Sequence, residues 1–288
     1  MKITKTKEFK VLTLNCWGIP FLSKDRISRM EAIGQELDRM NLDLIALQEI
    51  YLESDRTKII EQIYQNKIRY FRYFPSGLFG SGLYMLSRYP IVDENFWKFS
   101  IQGNPNDLLR PDCYASKGLA CIRVETTFGL LDFYNTHLIA PYKEIGDNVY
   151  FSHRVAQAYE ITQYINSYSQ NIPVILAGDL NCPPTELTYR LLLQNSALFD
   201  SYKLTNEGNP GYTITEDIPY INLHEPERAD YILHHDGKKM GLKLTQSNIV
   251  LKSVPKKYQS KILAFSDHYG VLSRFELVRS QINERNES

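Results

Sequence analysis

The stretch PVILAGDLN, residues 173–181, decides how this chain folds. Its four consecutive apolar residues, 174–177, are typical of a strand that is buried on both faces of a sheet. The strand ends on Gly178 and Asp179, and Asn181 follows two residues later. Asp and Asn form turns readily, and their side-chain oxygens can also bind a metal ion. The stretch therefore predicts a buried sheet with a functional site at the end of one of its strands.

The same pattern, an apolar strand with a polar side chain at its end, recurs along the chain. FKVLTLNCW contains Asn15 near its end, LDLIALQEI reaches Glu49, and GLLDFYNTHL carries His137. Asp267 and His268 stand directly before the last strand-like run. The other runs predicted as strands are GLYMLSRYPIV, GLACIRVET, ADYILHH and YGVLSRFELV. If these strand ends meet, they form one compact site of oxygen ligands and two imidazoles.

Three segments have the apolar spacing of amphipathic helices. In KDRISRMEAIGQELDRM the apolar residues recur every three or four positions, and Ser23 marks the expected start. The other two are VYFSHRVAQAYEITQYINSYS and PPTELTYRLLLQN, the latter with Pro183 and Pro184 near its start. Strands outnumber helices, and several consecutive strands have no helix between them. This pattern predicts an α/β (α+β) fold in which two packed mixed β-sheets are flanked by helices.

The composition is that of a folded globular protein. Of 288 residues, 43% are hydrophobic and 23% are charged. A chain of this length and hydrophobic content can form a large core. No internal repeat and no linker rich in Pro, Gly or Ser divides the sequence. We therefore predict a single domain over residues 1–288. Long surface loops are expected at 101–117 and 206–228, and a frayed tail at about 280–288.

Charge and cysteine content restrict the partners and the compartment. The 33 Lys and Arg residues balance the 33 Asp and Glu residues, which argues against a broad basic surface for nucleic acid. The four Cys residues form no CxxC pair, so free thiols in a reducing compartment are expected, with one disulfide left open. No signal peptide and no transmembrane segment is apparent in the sequence. A cytoplasmic or peripheral membrane location is expected, and secretion by a non-Sec route is left open.

Each polar strand end also has a simpler structural interpretation. Glu49 alone is more typical of a solvated turn, and a lone His137 of a hydrogen-bonded core residue. Asp179 and Asn181 can cap their own backbone. It is the coincidence of these residues at strand ends that favours a site. One carboxylate with amides and further carboxylates nearby suits a hard cation such as Mg²⁺, whereas the Cys and His spacing of a zinc site is missing.

Nine motifs resemble, in order, those of the endonuclease/exonuclease/phosphatase superfamily. They run from residue 12 to about residue 275: LNCWGIP, LDLIALQEIY, GSGLYMLSRYPI, YASKGLACI, YNTHL, SHRVAQAYEI, ILAGDLN, RADYIL and FSDH. Of these, QE, GDLN and SDH are shared across the superfamily. NCWGIP, SKG and HRVAQAYEI are similar to the neutral sphingomyelinases in particular.

The resemblance implies a four-layer α/β sandwich with the site at one edge of two facing sheets. It implies that Mg²⁺, for which Mn²⁺ or Co²⁺ could substitute, is held chiefly by Glu49 with Asn15 beside it. Five residues are implied to bind the phosphate or to orient it and the attacking water: Asn15, Lys117, His137, Asp179 and Asn181.

The resemblance also implies a reaction. His268 would be the general base that activates water, and either Asp230 or Asp267 would orient its imidazole. The implied activity is hydrolysis of sphingomyelin to ceramide and phosphocholine. The alternatives are a nuclease, or a phospholipase C or phosphatase that acts on another phosphate ester, such as a lysophospholipid, an inositol lipid or DNA. A binding module is disfavoured, because a binder does not need both a base and a metal ligand.

A phospholipid substrate implies peripheral contact with a membrane surface. Trp17, Ile19, Phe21 and Leu22 follow the first strand, and they could enter a bilayer or pack under the next helix. Phe79 has the same two interpretations. Four lysines could favour an anionic membrane or lie in a solvated loop: Lys252, Lys256, Lys257 and Lys261.

Overall fold

A computed structural model describes residues 8–65, 67–103, 116–141, 143–144, 147–148, 150–221 and 225–279. Its strands are β1 (Glu8–Asn15), β2 (Leu44–Gln48), β3 (Tyr70–Tyr73), β4 (Tyr84–Ser87), β5 (Ile91–Lys98), β6 (Gly118–Thr126), β7 (Gly129–His137), β8 (Lys143–Glu144), β9 (Asp147–Asn148), β10 (Val174–Asp179), β11 (Phe199–Asp200), β12 (Asp230–His235), β13 (Met240–Val250) and β14 (Gly270–Arg279). Its α-helices are α1 (Arg26–Met40), α2 (Glu53–Ile60), α3 (Phe151–Tyr168), α4 (Leu187–Asn195) and α5 (Ser201–Thr205).

Two mixed sheets of six strands form the centre of the molecule. The first sheet has the strand order β13-β14-β1-β2-β4-β3, and the second has the order β11-β12-β10-β7-β6-β5. Within them β1 and β2 run parallel, as do β7 and β10, and the other neighbouring strands are antiparallel. The short strands β8 and β9 pair with each other. Parallel neighbours bring the carboxyl ends of β1 and β2 together, and those of β7 and β10.

The sheets and helices stack in four layers. Inward side chains of both sheets, such as Val11 on β1 and Phe133 on β7, form one apolar core between the sheets. Apolar residues of α1 and α2 cover the outer face of the first sheet, with Ile33 and Ile59 fully buried there. Helices α3 and α4 cover the outer face of the second sheet. The predicted fold, two packed mixed sheets flanked by helices, is confirmed.

Three local predictions were wrong. The run GLYMLSRYPIV is not one strand, because it divides at residues 88–90 between β4 in the first sheet and β5 in the second. The first helix begins at Arg26 and not near Ser23, since the backbone N–H of Ser23 closes a turn on Ile19 and Asp25 precedes the helix in a left-handed conformation (φ 51°). The PPTE segment forms a turn before α4. Strands β3 and β13 and helix α2 had not been predicted.

Several predictions fall partly or wholly outside the described residues. These include the tail at 280–288, most of the loop at 101–117 and Cys113. The other three cysteines are buried and free. Among the described residues, no helix is long and apolar enough to cross a membrane.

The inward face of β1 changes character along its length, and the change locates the site. Phe9 and Val11 belong to the apolar core, Thr13 is a buried hydroxyl, and Asn15 ends the strand. Strands β2, β7, β10 and β12 follow similar patterns, because every second residue of a strand points to the same face. The space between the sheets is therefore apolar over most of its length and becomes polar at one end.

Candidate active site

Three polar side chains lie side by side at the polar end of the second sheet. The register of β12, β10 and β7 pairs Asp230 with Asp179, and Asp179 with His137. All three are almost fully buried. Gly178 permits this arrangement, because it has a φ of 146° and a Cβ there would lie 2.0 Å from the carbonyl oxygen of Thr136 on β7. In GDLN, close packing of β10 against β7 therefore requires Gly178, and Asp179 supplies the polar side chain at the strand end.

The first sheet contributes Asn15 at the end of β1 and Glu49 directly after β2. Glu49 has a φ of 58°, a left-handed conformation that is unfavourable for a residue with a side chain. Gly18 packs against this turn, where a Cβ would lie 2.2 Å from the carbonyl oxygen of Glu49. Trp17 and Asn181 also have positive φ angles, of 46° and 49°. Strained backbone persists where surrounding contacts over-determine it, which is common at functional sites.

Asn15 joins the carboxylates of the two sheets. Its Nδ2 donates to Oε1 of Glu49 at 3.1 Å and to Oδ2 of Asp179 at 3.0 Å. Its Oδ1 accepts a hydrogen bond from the backbone N–H of Trp17 at 3.0 Å. The amide oxygen is thus engaged by the backbone, and the amide nitrogen faces the two carboxylates. In this arrangement Asn15 holds Glu49 and Asp179 beside each other.

His268 lies opposite this group and is anchored by a carboxylate. Its Nδ1 lies 2.8 Å from Oδ2 of Asp230, and its Nε2 lies 3.9 Å from Oδ2 of Asp179. Asp267 instead accepts a hydrogen bond from the hydroxyl of Ser266. The carboxylate hydrogen-bonded to the imidazole is therefore that of Asp230. Burial opposes protonation of His268, but the charge of Asp230 and of the neighbouring carboxylates outweighs it and holds the pKa of His268 well above 6.5.

His137 has the opposite electrostatic character. Its Nε2 lies 3.5 Å from Oδ2 of Asp179 and 4.0 Å from Oε1 of Glu49, and its Nδ1 is buried without a hydrogen-bond partner. Burial, followed by the positive charge of Lys117, lowers the pKa of His137 from 6.5 to about 3. His137 is therefore a neutral imidazole at physiological pH.

The carboxylates of the site carry more negative charge than their surroundings compensate. Oε2 of Glu49 is buried and has no hydrogen-bond partner, and burial together with the charge of Asp267 raises the pKa of Glu49 to about 7. Burial also raises the pKa of Asp267. Buried carboxylate oxygens without a partner are unfavourable unless a cation joins them. The residues present therefore fit a hard divalent cation at Glu49.

A second set of atoms also has metal-like spacing. The ligand atoms of Asp179, Asp230 and His268 lie within 4.8 Å of one another, so these residues could hold a metal ion. Two of them are already bonded to each other through the 2.8 Å contact between Asp230 and His268. Each set contains a buried carboxylate oxygen without a hydrogen-bond partner among the described residues, Oε2 of Glu49 and Oδ1 of Asp230. Glu49 is the stronger candidate, because the carboxylate of Asp230 already anchors His268.

Lys117 and Asn181 lie at the same end of the second sheet. Lys117, one residue before β6, is almost fully buried, and its charge acts on both His137 and Glu49. The backbone N–H of Asn181 donates to Oδ1 of Asp179 at 2.9 Å, and its side chain donates to the carbonyl oxygen of Leu138 at 2.9 Å. The structure thus brings all nine candidate residues to one end of the sandwich.

Sequence reasoning missed three kinds of supporting residue. The first is Arg29 of α1, fully buried, which donates to four carbonyl oxygens around the site: those of Cys16, Trp17, Lys24 and Phe265. The second is Gln102, whose side chain bonds both the N–H and the C=O of Lys117. The third is a set of buried amides below the site, on β2 and β7. Arg29 could have been identified from the sequence, because it is an arginine on the predicted apolar face of α1. The contacts of Gln102 with Lys117 and of Gln48 with Asn135 could not, because they join residues far apart in sequence.

Exposed apolar residues occur in loops that adjoin residues of the site. Trp17 packs on Tyr220, at 5.1 Å between ring centroids, and is half-buried, whereas Phe21 and Leu22 are exposed. Tyr220 also joins two loops, because its hydroxyl donates to Asp25 and accepts from the N–H of Leu263. Leu263 is exposed. Leu78 and Phe79 are exposed in the loop between β3 and β4, and Gly77 of this loop lies close to Ser116, next to Lys117.

The four-layer fold and the polar strand ends define a class of protein, and comparison with known families agrees with it. Residues 12–268 match the Endonuclease/Exonuclease/phosphatase family. The chain belongs to this family. The superfamily resemblance drawn from the motifs is confirmed.

Individual relatives narrow the comparison. The chain is 32% identical over 298 residues to a protein of Caenorhabditis elegans named "Putative neutral sphingomyelinase". The alignment covers 94% of this chain and 67% of the relative. It is also 32% identical to "Inositol phosphosphingolipids phospholipase C" of Schizosaccharomyces pombe, over 70% of this chain and 48% of that relative. The chain thus spans about half to two thirds of the length of these curated relatives.

A solved structure shares the fold at low sequence identity. Sphingomyelinase C from Streptomyces griseocarneus superimposes with a TM-score of 0.67 over 93% of this chain and 99% of that chain, at 18% identity. At this level of identity the likeness concerns the fold alone.

Proposed function

We propose that this chain is a Mg²⁺-dependent phosphodiesterase that hydrolyses sphingomyelin to ceramide and phosphocholine. The observation that carries the proposal is the convergence of Glu49, with its orphan carboxylate oxygen, and the Asp230–His268 pair around Asp179. The names of the relatives, among them neutral sphingomyelinases, support the choice of lipid. The second candidate substrate is an inositol phosphosphingolipid, which the name of the Schizosaccharomyces pombe relative favours.

In the proposed reaction His268 is the general base. Asp230 holds Nδ1 of His268 and so directs Nε2 toward the space beside Asp179, where the attacking water would lie. His268 removes a proton from the water, the water oxygen bonds to phosphorus, and the bond from phosphorus to the ceramide oxygen breaks. The departing alkoxide takes a proton from the imidazolium or from solvent. Asp230 stabilises the imidazolium that forms in between.

The other residues would bind the phosphate and reduce its charge. A divalent cation held by Glu49 would polarise a phosphoryl oxygen and stabilise the leaving alkoxide. Neutral His137 can donate a hydrogen bond to a phosphoryl oxygen, and Lys117 adds positive charge beside it. Asn15 keeps the carboxylates of Glu49 and Asp179 in place. A cation bound at these carboxylates would offset part of their charge and so would lower the pKa of His268 toward the range in which a general base is effective.

Membrane contact belongs to the same proposal. The exposed apolar residues of the loops that adjoin the site would enter the lipid interface: Phe21, Leu22, Leu78, Phe79 and Leu263. Of the four lysines that could favour an anionic membrane, Lys257 forms an ion pair within the protein, because its Nζ lies 3.6 Å from a carboxylate oxygen of Glu36. We propose a peripheral membrane location on this basis, and the zero net charge of the chain disfavours nucleic acid as a partner.

One assay separates these activities. Purified protein is offered vesicles containing sphingomyelin or inositol phosphosphingolipid, lysophosphatidylcholine in micelles, and DNA with an abasic site, each with Mg²⁺ and with EDTA. Mg²⁺-dependent release of phosphocholine supports the proposal, and release of inositol phosphate alone selects the second candidate. Cleavage of DNA without any lipid turnover overturns both. Mn²⁺ and Co²⁺ are tested in place of Mg²⁺ to define the cation.

The membrane contact has its own test. The variant Phe21→Ser/Leu22→Ser is compared with Ile27→Ser, which alters another exposed apolar residue, on α1. We expect the first variant to lose vesicle co-sedimentation and to keep its activity on detergent-dispersed sphingomyelin. Unchanged co-sedimentation of the first variant would remove this loop from the docking surface.

A further inference from the structure

A layer of neutral polar side chains lies between the site and the apolar core. Thr13 on β1, Gln48 at the end of β2 and Asn135 on β7 are all fully buried. Each stands one or two positions before a residue of the site: Asn15, Glu49 and His137, respectively. Because alternate residues of a strand share a face, Thr13 and Asn135 point inward, like Asn15 and His137.

These side chains form hydrogen bonds from one sheet to the other. Nε2 of Gln48 donates to Oδ1 of Asn135 at 2.7 Å and to the hydroxyl of Thr13 at 3.0 Å. Nδ2 of Asn135 donates in turn to the carbonyl oxygen of Leu47 on β2 at 3.0 Å, and reaches that of Tyr84 on β4 at 3.5 Å. Asn135 of the second sheet therefore contacts two strands of the first sheet.

We propose that Gln48 and Asn135 are positioning residues that set the separation between Glu49 on the first sheet and His137 and Asp179 on the second. Apolar packing between sheets tolerates small sliding movements, whereas a buried amide pair has one favourable distance and is costly to break. The bonded pair lies directly below the carboxylates. A cation or a phosphate that contacts both sheets is sensitive to displacements well below 1 Å. The inference rests on the proposed metal-dependent function and adds the residues that control the width of its cleft.

The direct test is Mn²⁺ binding in the absence of substrate. The affinity of the full chain for Mn²⁺ is measured by electron paramagnetic resonance for the wild type, Gln48→Leu and Asn135→Leu, well below each melting temperature. We expect the Mn²⁺ Kd to increase about tenfold or more in both variants, in the range seen when groups supporting metal ligands are lost. The control is Val11→Ala, which removes apolar contact between the same sheets on the inward face of β1. The control should melt at a lower temperature and keep the wild-type Kd.

The outcomes are distinguishable from failure of the proposed function. A wild type that binds no Mn²⁺ refutes the proposed metal dependence. A wild type that binds Mn²⁺, with Kd values for both amide variants within twofold of it, overturns the positioning role. The same holds if Val11→Ala weakens binding as much as the amide variants do. If a leucine variant does not fold, the near-isosteric Thr13→Val decides, because it removes only the hydroxyl that accepts from Gln48. A threefold or larger increase in its Kd supports the role, and a smaller change overturns it.

Discussion

Two buried histidines, His137 at the end of β7 and His268 just before β14, differ in the partner of Nδ1 and in their charged neighbours. Both rings have Nε2 within 4 Å of the same oxygen of Asp179, at 3.5 Å and 3.9 Å. Nδ1 of His268 is bonded to Asp230, whereas Nδ1 of His137 has no partner. The carboxylates around His268, Asp230 first among them, hold its pKa well above 6.5. Burial and the charge of Lys117 lower the pKa of His137 to about 3. Burial and position alone therefore do not assign a role to a histidine. The partner of its other nitrogen does.

The largest expected difference between the two regions concerns catalysis. His268→Ala should lower kcat by about 10⁴-fold, because it removes the proposed general base, whose Nδ1 is held by Asp230. His137→Ala should act mainly on KM, since a neutral hydrogen-bond donor to the phosphate contributes to binding. Steady-state kinetics on sphingomyelin in detergent micelles measure both. His235→Ala, at the far end of β12, is the control. Equal effects of the two site variants on kcat would remove the distinction between them.

The next difference concerns the carboxylate that orients the base. Asp230→Asn should reduce kcat about 100-fold, because the amide favours the wrong tautomer of His268 and cannot stabilise the imidazolium. Asp267→Asn is the matched comparison, because Asp267 is a half-buried neighbour of His268 that is hydrogen-bonded to Ser266 instead. The pKa of His268, followed by NMR, should fall further in Asp230→Asn than in Asp267→Asn. A larger loss of kcat in Asp267→Asn would reverse the assignment.

The strand ends explain how much of this could be predicted from the sequence. Apolar runs such as 174–177 locate central strands, and the residue after each run lies at an edge of the sheet by geometry alone. This predicted the fold class and the convergence of Glu49 with Asp179. The division of GLYMLSRYPIV between two sheets was not predictable in the same way, because both halves are apolar. Only tertiary pairing, with β2 on one side and β6 on the other, separates them.

The contacts that distinguish similar residues lay beyond the sequence. Asp230 is the first residue of β12, and Asp267 lies shortly before β14. The register of β12 with β10 brings Asp230 to Nδ1 of the His268 imidazole. The direction in which Asn15 turns its amide depends on the N–H of Trp17, two residues later. Both details require the angle of a turn or the register of a sheet, which residue patterns do not encode.

The two histidines should also affect stability in opposite directions as the pH changes. In the unfolded chain both titrate near 6.5. Folded His137 stays neutral down to about pH 3, so the unfolded state binds an extra proton below 6.5 and stability is lost as the pH falls. Between pH 7 and pH 5 the wild type should therefore lose about 2 kcal/mol, or roughly 30-fold in the folding equilibrium, relative to His137→Gln.

For His268 the sign is reversed. Its folded pKa is raised, so its contribution is complete below about pH 6.5 and is lost as the pH rises toward the folded pKa. The difference in unfolding free energy between wild type and His268→Gln should therefore decrease as the pH rises above 6.5. Urea unfolding of both variants in EDTA measures the two curves. The contrast between the two histidines would be contradicted if the two differences in unfolding free energy changed with pH in the same direction.

The smallest expected effect concerns the support of Lys117, whose charge helps to keep His137 neutral. The side chain of Gln102 accepts from the N–H of Lys117 at 2.8 Å and donates to its C=O at 2.9 Å. Gln102→Ala removes both bonds, each worth about 0.5–1.5 kcal/mol, so KM should increase up to about tenfold while kcat changes little. The pKa of His137 should rise in the same variant as the ammonium becomes less well fixed, which NMR can follow. Gln163→Ala, an exposed glutamine of α3, is the control. A fall in kcat with unchanged KM would show instead that Gln102 acts on the chemical step and not through the placement of Lys117.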